Sequence, residues 1–423
     1  MRNRLSYLIL AGLLLAAVPA SAADKSAELR PEVGKPLQTA HALIAQQKFA
    51  EALVQIKKAE AAGRLSAEET GLLEQLRGIA AQATGDTATA AHSFEVAIAA
   101  GKLTPADRLR LTETLASVYY QIKDYPKAIT WAERYREAGG KDAAVVTVLA
   151  QSYYLNGDWA GASRILAEQI AAAEKTGGKP PEAELQLLAD SQLKQNDTAG
   201  YLQELEKLVA DYPKPEYWSA VIQRVQTQPG FPRRLTLDVD RLALAVGTLS
   251  TAPQYTQTAE LALQAGLPGE AKALLDHGFA AHVLGDGPEA ARQERLRALA
   301  AQQAAADLGE LEQRVQAAEA AADGTALVNA GIDYLGHGQP DKATRLIEEG
   351  LARGVTKHPD DAKLHLGVAY LAAGQKDKSL QAFQSVQAPD TAHLARLWAI
   401  YDTVRPTPIR LTQTAAKSGA TSP

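Results

Sequence analysis

Residues 115–129 read LASVYYQIKDYPKAI, and residues 149–163 read LAQSYYLNGDWAGAS. The second stretch starts 34 residues after the first and repeats Leu-Ala, Tyr-Tyr, an aspartate–aromatic pair and a small residue in the same order. Repetition at an interval of roughly 20–50 residues is typical of solenoids and related architectures. The two stretches therefore predict a chain built from stacked copies of one structural unit.

The composition favours helices. The 423 residues are 46% hydrophobic but only 5% aromatic, and alanine, the best helix former, is abundant. A chain of this length exceeds what one compact core usually organises, which indicates several domains or a repeat array. The formal net charge of −5 gives no basic excess that would indicate nucleic acid or an anionic membrane as a partner.

The first residues have the pattern of a cleaved export signal. Arg2 and Arg4 precede an apolar run over 5–18, and residues 20–22, Ala-Ser-Ala, form a small-x-small cleavage site. A transmembrane anchor is the alternative, but the run is shorter than the ~20 residues that span a bilayer. We expect 1–22 to be a removed signal peptide and 23–32 a linker. The mature chain would then be periplasmic or secreted, without a membrane span. The absence of cysteine excludes disulfides and thiolate metal sites.

The two quoted stretches also share the spacing of small and aromatic side chains. In each, two small residues twelve positions apart bracket two aromatic residues: Ala116, Tyr119, Tyr125 and Ala128, then Ala150, Tyr153, Trp159 and Ala162. This spacing resembles the tetratricopeptide repeat (TPR) family. The resemblance implies antiparallel helical hairpins, in which the small residues allow close helix approach and the larger ones fill the space beside the contact. One hairpin cannot bury its own apolar face, so neighbouring hairpins must stack on it.

The same spacing recurs along the chain and predicts an all-α fold, an α-solenoid of stacked antiparallel helical hairpins with two arrays and an irregular middle. We expect an N-terminal TPR array over 33–215 and a C-terminal TPR pair with a capping helix over 323–402. Between them, prolines at 213, 215, 229 and 232 punctuate the chain, and we expect 216–258 to be an irregular helical joint. Residues 259–322 read as degenerate helical repeats, with 302–322 a helical hairpin. Residues 403–423 lack core-forming side chains and are expected to be disordered.

Candidate catalytic motifs are weak in this chain. Residues 191–194 spell SxxK, but the chain has no SDN or KTG companion, and the motif falls inside a predicted repeat helix. His277 and His282 are five residues apart, which does not place them on one helix face, and His358 and His365 have no obvious third ligand. We therefore predict no enzyme activity, no metal and no cofactor. A helical-toroid enzyme acting on a cell-wall or sugar substrate is the alternative.

The resemblance implies a concave groove lined by the first helix of each repeat. Applied to this sequence, it gives the residues of a partner-binding groove: Glu113, Ser117, Tyr120, Thr147, Gln151, Tyr154 and Asp190. In each Tyr-Tyr pair the first ring would pack between helices, while the second would contact a partner. Tyrosine combines apolar area with a hydroxyl group and is favoured at interfaces. These side chains predict an extended peptide held by hydrogen bonds.

The corresponding residues of the last two repeats are mostly aliphatic: Val328, Ile332, Leu335, Leu364, Val368 and Leu371. An apolar groove of this size is rarely left in water, so something should cover it. The helix expected at about 390–402 carries an apolar stripe. We predict that it caps the second array and packs Trp398 against the last repeat.

These features together predict a periplasmic TPR scaffold that mediates protein–protein interactions. Envelope assembly, secretion and transport all use such scaffolds, and the sequence does not choose among them. A self-associating chain whose apolar groove is filled by its own copy is a third hypothesis.

Overall fold

A computed structural model of the chain describes residues 29–355 and 357–405. These residues form twenty α-helices and one 3₁₀ turn, which confirms the all-α solenoid of stacked hairpins. The predicted signal peptide (1–22) lies outside the described residues, as does all of the predicted tail beyond residue 405.

The helices belong to two compact units, which divide at residues 176 and 177. Unit 1 contains four helical hairpins: α1 (Pro31–Ala45) with α2 (Phe49–Glu60), α3 (Ala67–Ala83) with α4 (Thr87–Ala99), α5 (Pro105–Gln121) with α6 (Tyr125–Glu137), and α7 (Ala143–Leu155) with α8 (Trp159–Lys175). Each hairpin contacts the next one along the chain. The division falls inside the predicted 33–215 array, after its fourth hairpin.

Unit 2 begins with the hairpin of α9 (Glu182–Lys194) and α10 (Thr198–Asp211). The middle of the chain follows as α11 (Pro215–Gln226), the 3₁₀ turn (Arg233–Leu235), α12 (Thr236–Ala245), α13 (Ala252–Gln264), α14 (Pro268–Ala280) and α15 (Ala290–Glu319). Two hairpins come next, α16 (Thr325–Gly336) with α17 (Pro340–Arg353) and α18 (Pro359–Ala372) with α19 (Lys376–Gln384). The last helix is α20 (Pro389–Val404).

The prediction of a helical hairpin at 302–322 is wrong. Most of this stretch belongs to α15, a single helix of 30 residues. The stretch contains no proline, and its Gly309 lies in open space within the helix. Its buried residues Ala304, Leu311 and Val315 follow helical spacing along one face. One continuous stripe therefore packs against neighbouring helices, and a turn would break it.

Aspartates begin the second helix of successive hairpins. Asp86, Asp124, Asp158 and Asp197 each precede a second helix, and each accepts a hydrogen bond from the backbone N–H three residues further on. This contact satisfies one of the backbone donors that a helix N-terminus leaves unpaired. The aspartate–aromatic pair of the repeated stretches is therefore an N-cap followed by the first residue of the helix.

The turn before each of these aspartates requires a left-handed residue. Lys123 has a φ of 64° and Gly157, its counterpart one repeat later, has a φ of 81°. Glycine adopts this conformation without steric cost, whereas lysine does so against the clash of its Cβ. The turn geometry is thus constant while the residue that adopts it varies.

Small residues of the first helix pack against a residue of the second, and the two sizes complement each other. Gly78 lies against Phe94, and Gly367 against Phe383, so closely that a Cβ on either glycine would lie 2.4 Å or 2.3 Å from the ring. Where the first helix has alanine instead, as at Ala116, no phenylalanine faces it. The side chains between the two helices of a hairpin thus fill a fixed volume, in which a small residue on one helix is matched by a large residue on the other.

A tyrosine–glutamate contact joins one hairpin to the helix before it in both units. The tyrosine hydroxyl donates to a glutamate carboxylate in four places: Tyr119 to Glu95 at 2.7 Å, Tyr153 to Glu133 at 2.9 Å, Tyr334 to Glu312 at 2.9 Å, and Tyr370 to Glu348. A cation lies over three of these rings within about 5 Å, with Lys127 at 4.6 Å from Tyr119. The repeat therefore carries a polar contact between stacked hairpins as well as apolar packing.

The last helix of unit 2, α20, contacts the helices that begin this unit. His393 and Arg396 of α20 bind the carboxylate of Glu206 on α10, at 2.9 Å and 3.3 Å. The rings of Trp218 in α11 and Tyr401 in α20 meet edge to face, with centroids 6.5 Å apart. Unit 2 thus returns on itself, and helices separated by most of its sequence are in contact.

Candidate functional site

Six of the seven predicted groove residues lie on two helices of unit 1. Glu113, Ser117 and Tyr120 share one face of α5, and Thr147, Gln151 and Tyr154 share the equivalent face of α7. The two helices contact each other, and all six side chains are half-buried. The seventh, Asp190, lies on α9 in unit 2 and is also half-buried. The structure therefore joins six residues into one surface, which we call the α5/α7 face.

The two tyrosines of a pair differ clearly in burial only on α5. Tyr119 is 4% exposed while Tyr120 is half-buried. Tyr153, predicted to be buried, is half-buried like Tyr154. Its ring lies beside Gly161, where an added Cβ would be 2.6 Å away, so the glycine leaves part of the ring in solvent. Both first tyrosines still bridge to the preceding helix, whereas Tyr120 contacts Tyr125 with ring centroids 6.1 Å apart.

Two acidic groups influence each other at the α5/α7 face. Burial raises the pKa of Glu113, and the nearby charge of Asp142 raises it further. Asp142 is the N-cap of α7 and accepts a hydrogen bond from the backbone N–H of Ala144 at 2.7 Å. The face thus combines tyrosine rings, amide and hydroxyl groups with an excess of negative charge.

The aliphatic residues predicted to line a C-terminal groove are not open to solvent. Val328, Leu364 and Leu371 are buried, and Ile332, Leu335 and Val368 are half-buried. The middle of the chain contributes to their cover. A cavity of about 330 Å³ is lined by Leu237 of α12, Leu261 of α13 and Ile332 of α16, among others. The predicted groove is therefore largely an internal face of unit 2.

Charged side chains fix the middle of the chain to the last repeats. Arg241 donates to both carboxylate oxygens of Glu270, at 2.7 Å and 2.6 Å, and to Asp238 at 2.5 Å. The ring of His365 on α18 lies 2.8 Å from the same Asp238. Burial would raise the pKa of Asp238, but the charges of His365 and Arg241 outweigh it and hold that pKa at about 2.

The helix α20 makes the contact that the sequence predicts for Trp398. This ring is 3% exposed and stacks on Phe383 of the last repeat, with centroids 6.3 Å apart. At the start of α18, Asp361 accepts hydrogen bonds from Thr391 of α20 and from Arg234 of the middle segment, both at 2.7 Å. Both α20 and the middle segment therefore pack on the last repeats, and sequence reasoning anticipated only α20.

A cluster of acids and histidine lies between α15 and α16. One ligand atom from each of Asp307, Asp333 and His337 lies within 4.8 Å of the other two, and Arg314 bonds to both aspartates. Burial raises the pKa of Asp333 to about 6, with a further contribution from Asp307. Sequence analysis missed the cluster, although an aspartate and a histidine four residues apart at 333 and 337 are a signal that could have found it.

In the part of the chain that the structure describes, no helix is both long and apolar enough to cross a bilayer.

Comparisons with known proteins agree with these hairpins. A tetratricopeptide repeat family model matches residues 76–143 and 328–392, and a second tetratricopeptide repeat model matches 185–215. No curated protein matches the chain.

Solved structures with similar folds include a tetratricopeptide repeat protein from Parabacteroides merdae, at 12% identity, covering 80% of this chain and 98% of that one with a TM-score of 0.32. Yeast Tom70 is also similar, at 12% identity, 88% and 96% coverage and a TM-score of 0.25. Against a Naa15/Naa10 complex bound to HypK-THB, the identity is 16% and the TM-score 0.32, and the match covers 84% of this chain but only 58% of that one.

The matched segments coincide with hairpins that show the repeated cap, turn and small-residue contact. Residues 76–143 span the second and third hairpins of unit 1, 185–215 spans α9 and α10, and 328–392 spans the last two hairpins. Such repeats suggest a scaffold for protein–protein interactions. In these three segments, the helices, their spacing and the family models agree that the chain contains tetratricopeptide repeats.

Proposed function

We propose that this chain is an exported scaffold for protein–protein interactions, and that the α5/α7 face binds an extended segment of its partner. The observation that carries the proposal is the repetition of polar and aromatic side chains on two contacting helices. Tyr120 and Tyr154 occupy equivalent places on α5 and α7, as do Ser117 and Gln151. An extended peptide running across both helices would meet the same kinds of group twice.

The charge of the face favours a basic segment. Burial raises the pKa of Glu113, and repulsion from the charge of Asp142 raises it further. A lysine or arginine side chain placed beside them would relieve that repulsion and form charge-assisted hydrogen bonds. The tyrosine rings beside them also suit a cation, because the ring face is electron-rich.

Selection of displayed random peptides on the full chain tests this function. We expect the selected peptides to be enriched in lysine and arginine and to bind more weakly at high salt. Tyr120→Ala and Tyr154→Ala should each weaken binding with helical content unchanged, and Glu113→Gln should remove the basic preference. Gln121→Ala is the matched control, because this exposed neighbour of Tyr120 lies off the face. Peptides that bind all variants equally would contradict the proposal.

We also propose that the scaffold acts in the periplasm, in envelope assembly, secretion or transport. The support is the pattern of residues 1–22, with two arginines, an apolar run and Ala-Ser-Ala. Intact-mass measurement of protein recovered from the envelope should find a chain that starts near Ala23. Material that still carries Met1 would contradict cleavage.

The unit 2 cavity does not favour the alternative of a helical enzyme. A general acid or base works best with a pKa near the working pH. Asp238, which lines this cavity, has its pKa held at about 2 by ion pairs with Arg241 and His365. Its environment is that of a structural ion pair, so we do not propose catalysis there.

A further inference from the structure

The acid–histidine cluster of unit 2 has the composition of a metal site. The Nε2 atom of His337 lies 2.7 Å from Oδ2 of Asp307, and a carboxylate oxygen of Asp333 lies within 4.8 Å of both groups. The three side chains are 8%, 11% and 6% exposed, respectively. Two helices supply them: Asp307 from α15, and Asp333 with His337 from the last turn of α16 and the residue that caps it. The ligands are therefore held in place by helix packing.

One oxygen of the cluster is unsatisfied. Oδ2 of Asp333 accepts a hydrogen bond from Arg314 at 2.8 Å, whereas Oδ1 is buried and has no hydrogen-bond partner among the described residues. A buried carboxylate oxygen without a partner is costly, because it has lost its hydration without replacement. Such an oxygen could be satisfied by a bound cation.

Arg314 is the cation that a metal ion would have to displace from the two aspartates. It bonds to Asp307 and to Asp333, but its side chain is 45% exposed. With nearly half of its side chain already in water, the arginine can turn outward, provided that an incoming ion takes over its pairing with the two buried carboxylates. A divalent ion would instead supply two charges and bond directly to the buried ligand atoms.

We propose that Asp307, Asp333 and His337 bind a divalent transition-metal ion, with Arg314 pairing with the aspartates when no ion is bound and turning to solvent when one binds. The ligand set of one imidazole nitrogen and two carboxylate oxygens suits Zn²⁺ better than Ca²⁺ or Mg²⁺, which prefer oxygen alone. The bound ion would fasten α15 to α16. This site belongs to unit 2 and does not depend on peptide binding at the α5/α7 face.

Calorimetric titration of the full chain with Zn²⁺ tests the site, after purification without a histidine tag and treatment with EDTA. We expect one Zn²⁺ per chain and a higher thermal midpoint with Zn²⁺ than with EDTA. His337→Gln and Asp307→Asn should each weaken binding at least tenfold. His92→Gln is the control, because this exposed histidine lies in unit 1 and outside the cluster; it should bind Zn²⁺ as the wild type does.

The variant Arg314→Gln separates a metal site from a permanent ion-pair network. A metal site should bind Zn²⁺ more tightly without the arginine, by at least about fivefold, because a cation that competes for two buried carboxylates has been removed. In a permanent network the same change would lower stability with no gain in zinc affinity. That result, or zinc binding that His337→Gln and Asp307→Asn leave unchanged, would overturn the proposal. Circular dichroism establishes that each variant is folded before titration.

Discussion

Replacing Gly78 by alanine tests whether the volume shared by two helices of a hairpin is fixed. An added Cβ would lie 2.4 Å from Cε1 of Phe94 and 2.5 Å from its Cδ1. Carbon atoms pack at about 3.5–4.0 Å, so the ring would have to move by more than ~1 Å. Phe94 is 1% exposed, so a moving ring would press on other core side chains. Overpacking of this kind costs ~1–3 kcal/mol.

Helix propensity opposes part of this cost. Alanine is favoured over glycine within a helix by about 1 kcal/mol, so we expect Gly78→Ala to lower the free energy of unfolding by up to ~2 kcal/mol. Gly71 in the same helix is the matched control. A Cβ there would meet only Ala100, at an ordinary distance of 3.5 Å. Gly71→Ala should therefore stabilise the protein by up to about 1 kcal/mol.

A double mutant identifies the ring as the cause. Phe94→Leu alone should destabilise by ~1–2 kcal/mol through the space that it leaves. Combined with Gly78→Ala, the loss should be smaller than the sum by about 1 kcal/mol, because the methyl group occupies part of that space. Urea unfolding followed by circular dichroism gives the free energies, and hydrogen exchange of α3 and α4 assigns them to this hairpin. Equal stability of Gly78→Ala and Gly71→Ala would refute the reasoning.

Three further predictions concern the turn, the repeat packing and pH. Lys123→Gly should raise the free energy of unfolding by about 0.5–1 kcal/mol, because its φ is 64°, whereas Gly157→Ala should lower it; chemical denaturation measures both. Ala162→Leu should cost ~1–3 kcal/mol, since this alanine is fully buried, and an unchanged denaturation midpoint would mean that the repeat register is misplaced. Asp238 has a pKa of about 2 when folded against 3.8 ordinarily, so it stabilises unit 2 above about pH 4 and loses this effect as the pH falls towards 2. Asp238→Asn should therefore be less stable at neutral pH, by about 2 kcal/mol, and should flatten the stability profile over that acid range; a profile as steep as that of the wild type would count against this ion pair.

The hairpins could be predicted from sequence because their determinants are local. Asp124 caps a helix through a backbone group three residues away, and Ala116 and Ala128 are fully buried on the two helices of one hairpin. Such contacts recur at one spacing, so two copies are enough to reveal them. The hairpin expected at 302–322 failed for the converse reason. Alanine-rich sequence gives little signal for where a helix stops, and Gly309 was not enough to end α15.

The cover of the apolar residues in unit 2 could not be predicted in the same way. Asp238 and His365 are 127 residues apart, and no repeat spacing relates them. The middle segment also places a buried aspartate among aliphatic residues. From the hydrophobic pattern alone, the position of that aspartate would be predicted to face solvent. The α5/α7 face could be predicted in part. The resemblance assigned seven groove residues, and the structure places six of them on one surface. The seventh, Asp190, lies in the other unit.

The contact between α10 and α20 bears on how the gene for this protein could change length. An open stack gains a copy by internal duplication without disturbing the others, because each hairpin touches only its neighbours. Unit 1, with hairpins that meet in succession, has this freedom. In unit 2, an inserted hairpin would separate Glu206 from His393 and Arg396. Duplication is therefore expected to be tolerated before residue 176 and selected against after it, so that related chains would differ in copy number at one end and share a constant count at the other.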